Sequence, residues 1–197
     1  MRRFTSILLL CGLALGGCTT DAAVYSLIQD HAYSPSEFRH AAANKAVRTV
    51  IAGKPFPKAT DRATHDAVLA AMQPVDWYQP LPFTPDAYFT DKPKGEHNPE
   101  YHVVVALNPD DTKDEWAVAP CVNNMVPATN GPKDDYTVRM VFCRDQTLLS
   151  LAHATLEGET APNDPRFRNM ITRKTMELFP QRRDDRDCFG ARRKGRC

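Results

Sequence analysis

Residues 136–156, YTVRMVFCRDQTLLSLAHATL, form the stretch that decides the fold. Between Tyr136 and Phe142, apolar side chains occupy every second position, a spacing that is typical of a half-buried strand. The polar triplet RDQ at 144–146 predicts a tight turn, and the apolar-rich residues 147–156 predict the returning strand. The stretch therefore predicts an antiparallel β-hairpin.

Apolar segments on both sides of the hairpin extend this pattern. Upstream, HVVVAL at 102–107 predicts a buried strand, and residues 116–119 fit a short strand. Downstream, Asp164 and Pro165 have the residue types of a helix N-cap and of the first helical position, and Pro180 ends the helix. The apolar face of this helix consists of Phe167, Met170, Ile171 and Leu178.

The N-terminal half of the chain predicts two more helices and one ambiguous segment. Ser34, Pro35 and Glu37 predict a helix start, with Ser34 as N-cap and Glu37 as its capping-box partner. Thr60-Asp61 opens a second helix, which has apolar residues at helical spacing. The alternation in residues 46–51 fits either a helix end or a strand.

Two polar or proline-rich segments separate these parts. Residues 77–90 contain three prolines and therefore form at most an edge strand, and residues 91–100 are predicted to be a loop. Together the elements predict an α+β fold, with a small, mostly antiparallel sheet and two or three helices packed on one of its faces. We expect a single disulfide-stapled domain over residues 34–180.

The N-terminus has the composition of an export signal. Two arginines at positions 2–3 precede an apolar run over residues 7–15, which ends in Leu15-Gly16-Gly17-Cys18. This motif resembles the lipobox of bacterial lipoproteins. The resemblance implies that residues 1–17 are a signal peptide and that Cys18 becomes the first mature residue and carries lipid, palmitate included.

The residue after Cys18 indicates a destination. In lipoproteins of this kind an Asp at that position favours the inner membrane, whereas this chain has Thr19. The resemblance therefore implies an anchor in the outer membrane of a Gram-negative cell, facing the periplasm, with residues 18–33 as a tether. The alternatives are an ordinary secretory signal and an uncleaved anchor helix, but the apolar run is shorter than the ~20 residues that a spanning helix needs.

The C-terminal half carries a second resemblance. The order of hairpin, helix and Leu178-Phe179-Pro180 is similar to that of uncharacterised small envelope lipoproteins of proteobacteria. This resemblance covers roughly residues 100–180. Such proteins have no agreed activity, so it implies no reaction, and we predict no cofactor.

Four cysteines follow Cys18, at positions that favour disulfides. An even number in an exported chain is typical of two bridges, although four cysteines allow three connectivities. We favour nearest-neighbour pairing, because each pair then falls within one segment. The spacings lack the close pairs of a zinc site. The predicted bridges are Cys121–Cys143 and Cys188–Cys197.

The best candidate for metal chemistry lies just before the buried strand. His97, Glu100 and His102 place two imidazoles and a carboxylate within six positions, as a zinc or copper site would. Extended chain puts Glu100 and His102 on one side, but Pro99 rules out the helical His pair of metalloproteases. We favour the other interpretation, a polar loop that enters a strand, and predict neither a metal nor a catalytic residue.

The tail, residues 181–197, is strongly basic. It contains seven basic residues against three acidic ones, whereas the chain after residue 17 has 23 basic and 24 acidic residues and does not favour nucleic-acid binding. A closed Cys188–Cys197 loop would present its cations to an anionic envelope component or an acidic protein partner. The alternative is a solvated tail. The candidate contact residues are Arg192, Arg193, Lys194 and Arg196.

Three functional hypotheses follow from the sequence. The leading one is a non-enzymatic accessory or scaffold lipoprotein that binds another envelope component. The second is a metal-binding protein or small periplasmic hydrolase centred on His97, Glu100 and His102. The third is a periplasmic binding protein for a small apolar ligand, which a deep pocket between the helices and the sheet would favour.

Overall fold

The computed structural model describes the larger part of the predicted domain and neither of the chain's ends. The described residues are 27–30, 33–43, 46–73, 83–85, 97–110, 121, 134–158 and 160–180. The motif that resembles a lipobox, the predicted strand at 116–119 and the basic tail lie outside them. None of the helices in this part of the chain is long and apolar enough to cross a membrane.

Strands and helices alternate irregularly along the described chain. The strands are β1 (Leu27–Asp30), β2 (Ala46–Ala52), β3 (Phe83–Pro85), β4 (His97–Leu107), β5 (Asp135–Arg144) and β6 (Thr147–Glu157). The helices are α1 (Pro35–Ala42), α2 (Asp61–Ala71) and α3 (Pro165–Leu178).

These strands form one sheet in the order β1-β6-β5-β4-β2-β3. The pairs β1–β6, β6–β5 and β5–β4 are antiparallel, whereas β2 runs parallel to both β4 and β3. All three helices contribute buried residues to a single core on one face of the sheet. The prediction of an α+β fold with a mostly antiparallel sheet and helices on one face is therefore confirmed.

The central hairpin is confirmed, but it is more buried than predicted. β5 and β6 pair from Asp135 opposite Glu157 to Arg144 opposite Thr147, and Asp145 adopts a positive φ of 50° in the turn. Val141 and Cys143, on the face away from the helices, are also buried. Apolar side chains on both faces thus place this hairpin in the middle of the sheet.

Polar side chains cap the helices, not always in the predicted way. Thr60 and Asp164 cap α2 and α3 by accepting hydrogen bonds from the backbone N–H groups of Ala63 (3.2 Å) and Arg166 (2.8 Å). Ser34 occupies the N-cap position of α1, but its side chain caps no backbone N–H. The predicted capping box is wrong, because the Glu37 carboxylate turns to the sheet instead.

The structure corrects two segment predictions and decides a third, which was open between helix and strand. The ambiguous residues 46–51 belong to a strand, β2, and residues 97–100 form the start of β4 instead of the end of a loop. Residues 27–30, predicted as tether, pair antiparallel with β6, and Tyr33 is only 2% exposed. The folded domain therefore begins before residue 34, because its edge strand comes from the predicted tether.

Candidate functional site

The predicted bridge between Cys121 and Cys143 is present. The two sulfurs are 2.06 Å apart, and the two Cα atoms are 5.5 Å apart. Both residues are buried and belong to a small apolar cluster on the face of the sheet opposite α1, α2 and α3. The bridge therefore ties Cys121 to β5 on that face. The other predicted pair, Cys188 and Cys197, lies outside the described residues, as does Cys18.

The metal candidates lie along β4 in unlike surroundings. His102 is 4% exposed and lies between Arg48 of β2 and Cys143 of β5, whereas the Glu100 side chain is exposed. The register with β2 shifts between the pairs made by His97 and His102. Among the described residues, no three His, Cys, Asp or Glu side chains form a group that could hold a metal. Glu100 and His102 therefore differ in exposure, although they are two positions apart in sequence.

A tyrosine, a carboxylate and a guanidinium meet where α1 packs on the sheet. The Tyr101 hydroxyl donates to Glu37 Oε2 at 2.6 Å, and Arg144 Nη1 donates to Glu37 Oε1 at 2.7 Å. The His40 ring packs edge-on against Tyr101, with 5.9 Å between centroids. Burial, and then the Glu37 carboxylate, raise the pKa of Tyr101. Both Glu37 oxygens are engaged, so the group joins α1 to β4 and β5.

A cavity opens at the opposite end of β5. It has a volume of about 510 Å³ and lies between the loops 55–59 and 160–162, with Asp134 and Tyr136 completing its lining. Tyr136 is 3% exposed, and its buried hydroxyl has no hydrogen-bond partner among the described residues. Burial alone raises the pKa of Tyr136 far above that of an exposed tyrosine, so its hydroxyl stays protonated.

Aromatic contacts fix the position of Tyr136. The Phe56 ring stacks on it, with 4.9 Å between centroids and 17° between planes. Phe167 of α3 meets both rings edge-on, with centroids 5.2 Å from Phe56 and 5.9 Å from Tyr136. Phe56 and Tyr136 thus line the cavity, and Phe167 packs against both rings.

The polar lining of the cavity differs between its loops. Thr160 donates its hydroxyl hydrogen to Asp164 Oδ2 at 3.1 Å, which ties the loop 160–162 to the N-terminus of α3. Lys58 and Asp134 are exposed. Among the described residues, the lining of the cavity therefore contains one cation and one anion.

Sequence reasoning did not identify this cavity. Its lining comes from three segments: residues 55–59, Asp134 with Tyr136, and residues 160–162. Each segment is more than twenty positions from the next, and none of them contains a motif. The available clue was the sequence Pro55-Phe56-Pro57, an apolar segment that is separated from the end of β2 by two residues.

The outer face of α3 is cationic. Arg166, Arg168 and Arg173 are exposed there, while Asp164 pairs with Arg166 at 2.9 Å. Arg168 and Arg173 form no ion pair within the described part of the chain. The predicted contact residues of the tail, Arg192, Arg193, Lys194 and Arg196, lie outside the described residues but follow this helix in the chain.

No family model matches the chain, and no curated protein matches it. Among solved structures, it is similar to a single-residue variant of the PelC dodecamer from Paraburkholderia phytofirmans (space group C2), with 9% identity and a TM-score of 0.38. It is also similar to the PelC dodecamer from that organism in space group P6, with 7% identity and a TM-score of 0.37. Each likeness covers 81% of this chain and 96% of the PelC chain. These values assign neither an activity nor a partner to this chain.

Proposed function

We propose that this chain is a lipid-anchored accessory protein of the Gram-negative envelope, which binds an anionic envelope component without catalysing a reaction. Cys18 carries the lipid, and the α+β domain faces the periplasm from the outer membrane. The observation that carries the proposal is the buried Cys121–Cys143 bridge. Disulfides persist in exported proteins and are rare in reducing compartments, which agrees with the export signal that Leu15-Gly16-Gly17-Cys18 resembles.

A cationic surface on α3 supports the binding part of the proposal. The exposed guanidinium groups of Arg168 and Arg173 lie on the last described helix, directly before the basic tail over 181–197. Basic residues near an anionic membrane surface contribute about 1 kcal/mol each. Helix and tail together therefore provide more positive charge in one part of the chain than its nearly neutral total suggests.

Metabolic labelling with palmitate tests the anchor. We expect label on the wild-type chain and on a Cys11→Ala control, and none on Cys18→Ala, which should also leave the membrane fraction. Thiol labelling under denaturing conditions should find Cys121 and Cys143 oxidised in the wild type. An unlabelled wild-type chain recovered from the cytosol with free thiols would refute the proposal.

Co-sedimentation with vesicles tests the cationic surface. We expect the lipid-free chain to bind vesicles that contain phosphatidylglycerol, and Arg168→Glu/Arg173→Glu to bind roughly tenfold more weakly or worse. The matched control is Lys54→Glu/Arg62→Glu, which changes the net charge equally at residues that pair locally with Asp61 and Asp66. Equal weakening by both variants would assign the effect to net charge and remove α3 as the contact surface.

A further inference from the structure

We propose that the outer face of α3 lies flat on the phospholipid surface to which Cys18 anchors the chain, with the Met176 side chain inserted between the headgroups. This inference rests on the proposed function and deepens it. It names the anionic component as the bilayer itself, and it assigns the contact to one apolar side chain together with the arginines around it.

Met176 provides the apolar part of this face. It is 37% exposed, and in the described part of the chain it is the one large apolar side chain that is exposed. The apolar residues on the opposite side of α3 are at most 1% exposed and belong to the core. A single exposed apolar residue carries little information alone, so its position relative to the charged residues is decisive.

Arginines lie on both sides of Met176. At 3.6 residues per turn, Arg168 is about 80° around the helix axis from Met176, and Arg173 is about 60° away on the other side. Both are exposed, and between them Asn169 is exposed and neutral. An apolar centre with cations at its flanks is the arrangement that suits a membrane interface, because the long arginine side chains reach the phosphates while the centre enters the lipid.

The carboxylates on and next to α3 do not oppose this contact. Asp164 pairs with Arg166 at 2.9 Å, and Glu177 pairs with Lys174 at 2.5 Å. Each acidic group is therefore compensated by a cation of the same helix. The charge that this face presents to a phosphate surface comes from Arg168 and Arg173, whose attraction to anionic lipid adds to the insertion of Met176.

The position of the anchor brings this face within reach of the membrane. The chain from Cys18 to Leu27, the first residue of β1, spans at most about 30 Å. At the other end of β1, Asp30 pairs with Ser150, whose hydroxyl donates to the Leu178 carbonyl of α3 at 2.8 Å. Because a helix with its side chains is only about 10–12 Å thick, a tether of this length lets the outer face of α3 contact the bilayer.

A bilayer fits this face better than an acidic protein does. An acidic protein would need a pocket for Met176 placed between carboxylates, whereas a bilayer offers phosphate above hydrocarbon at every point of its surface. The anchor also makes the contact intramolecular, so a weak interaction suffices to orient the domain.

Quenching by nitroxide lipids measures the depth of this face. The full lipid-anchored chain is labelled with the fluorophore NBD through Met176→Cys or Asn169→Cys. It is then reconstituted in vesicles that contain phosphatidylglycerol and lipids with a nitroxide on the acyl chain. We expect quenching at both positions, and its loss when Arg168→Glu/Arg173→Glu is added. In the Asn169→Cys chain, Met176→Ser should weaken the quenching, whereas Met176→Leu should preserve it.

The control position is Gln146, which is exposed in the turn of the β5–β6 hairpin. A label on Gln146→Cys should escape quenching, and dye-treated wild type reports any reaction of the other cysteines. Thermal melts confirm that each variant is folded.

Three results would overturn the proposal. The first is the absence of quenching at positions 169 and 176 of an anchored chain, which would favour an acidic protein as the partner. The second is equal quenching at position 146, and the third is unchanged quenching in Met176→Ser. The lipid anchor would survive all three, because palmitate labelling tests it independently. Unchanged quenching in Arg168→Glu/Arg173→Glu would remove the cationic surface of the proposed function as well.

Discussion

Two buried tyrosines show how differently one residue type can be used in this domain. The Tyr101 hydroxyl lies 2.6 Å from the Glu37 carboxylate and helps to fix α1 on the sheet. Tyr136 is equally buried, but its hydroxyl has no partner among the described residues. At the residue scale, the Tyr101 hydroxyl therefore stabilises the fold, whereas the unpaired hydroxyl of Tyr136 costs stability.

Burial of Tyr136 makes the free energy of unfolding decrease at alkaline pH. Its pKa is raised in the folded protein, whereas in the unfolded chain it is near 10.0. The stabilisation is therefore fully present below pH 10 and is lost as pH rises above it, because the unfolded chain ionises first. Above pH 10, the free energy of unfolding should fall with pH in both proteins. For Tyr136→Phe we expect this fall to be smaller by about 1.4 kcal/mol per pH unit than for the wild type.

Urea unfolding at pH 9, 10.5 and 11.5 measures this difference. Tyr101→Phe is the comparison, since burial also raises the pKa of Tyr101 and its removal should reduce the slope in the same direction. The same variant also loses a charge-assisted hydrogen bond, so it should already be less stable at pH 9. A Tyr136→Phe slope equal to that of the wild type would contradict the expected role of burial.

At the scale of elements, the parts that the sequence predicts well are those with local causes. The β5–β6 hairpin follows from alternation and a short polar turn, and α3 begins at Asp164 and Pro165 as predicted. By contrast, β2 forms parallel pairs with strands far along the chain, so the local pattern alone left residues 46–51 ambiguous. Strand β1 has only four residues and is defined by its pairing with β6, which no local pattern reveals.

The cap that Asp164 provides for α3 weakens at acid pH. The side-chain hydrogen bond from Arg166, followed by the backbone bond and Thr160, lowers the pKa of Asp164 from its ordinary value of 3.8. Its stabilisation is thus present above about pH 4 and lost as pH falls through the lowered value. We expect Asp164→Ala to cost about 1 kcal/mol or more at pH 7. Asp164→Asn should cost less, because Asn also caps helices.

Unfolding free energies at pH 7 and pH 3 test this prediction. Both Asp164 variants should lose less stability between the two pH values than the wild type does. Thr60→Ala is the control, because Thr60 caps α2 with a hydroxyl that does not titrate, so its cost of about 1 kcal/mol should be the same at both pH values. If Asp164→Asn kept the full acid dependence of the wild type, another carboxylate would be responsible.

At the scale of the whole molecule, one aromatic cluster joins segments from the entire described chain. The ring centroid of Phe38, on α1, lies 4.2 Å from that of Phe179, which follows α3. The centroid of Phe142, on β5, lies 5.0 Å from that of Phe179. Tyr33 and Phe83 also contact this cluster. The apolar face of α3 was predictable from its spacing, but the convergence of these rings was not, because it depends on sheet order.

The candidate sites depend on the whole fold in the same way. The Cys121–Cys143 bridge was predicted because nearest-neighbour pairing is a rule that sequence alone can apply. The cavity at Tyr136 needs two loops and the start of β5, which only the completed sheet and α3 bring together. Glu100 and His102 show the reverse case, in which two neighbours in sequence differ in surroundings: Glu100 is exposed and His102 is buried.

The corrected start of the domain gives a prediction for the whole molecule. A chain that begins at residue 24 keeps β1 and Tyr33, whereas one that begins at residue 34 loses the edge strand and a ring that contacts Phe142 and Phe179. Removing a buried aromatic side chain costs roughly 3–5 kcal/mol. We therefore expect urea unfolding to show equal stability for chains that begin at 19 and 24, and a loss of at least about 3 kcal/mol for the chain that begins at 34.

Tyr33→Ala in the chain that begins at residue 24 separates the two contributions. This variant loses the ring but keeps the pairing of β1 with β6, so its stability should lie between those of the two truncated chains. Any further loss on removing residues 24–33 belongs to the strand. If the chain that begins at 34 were as stable as the longer ones, residues 27–33 would be a tether after all, and the sheet would end at β6.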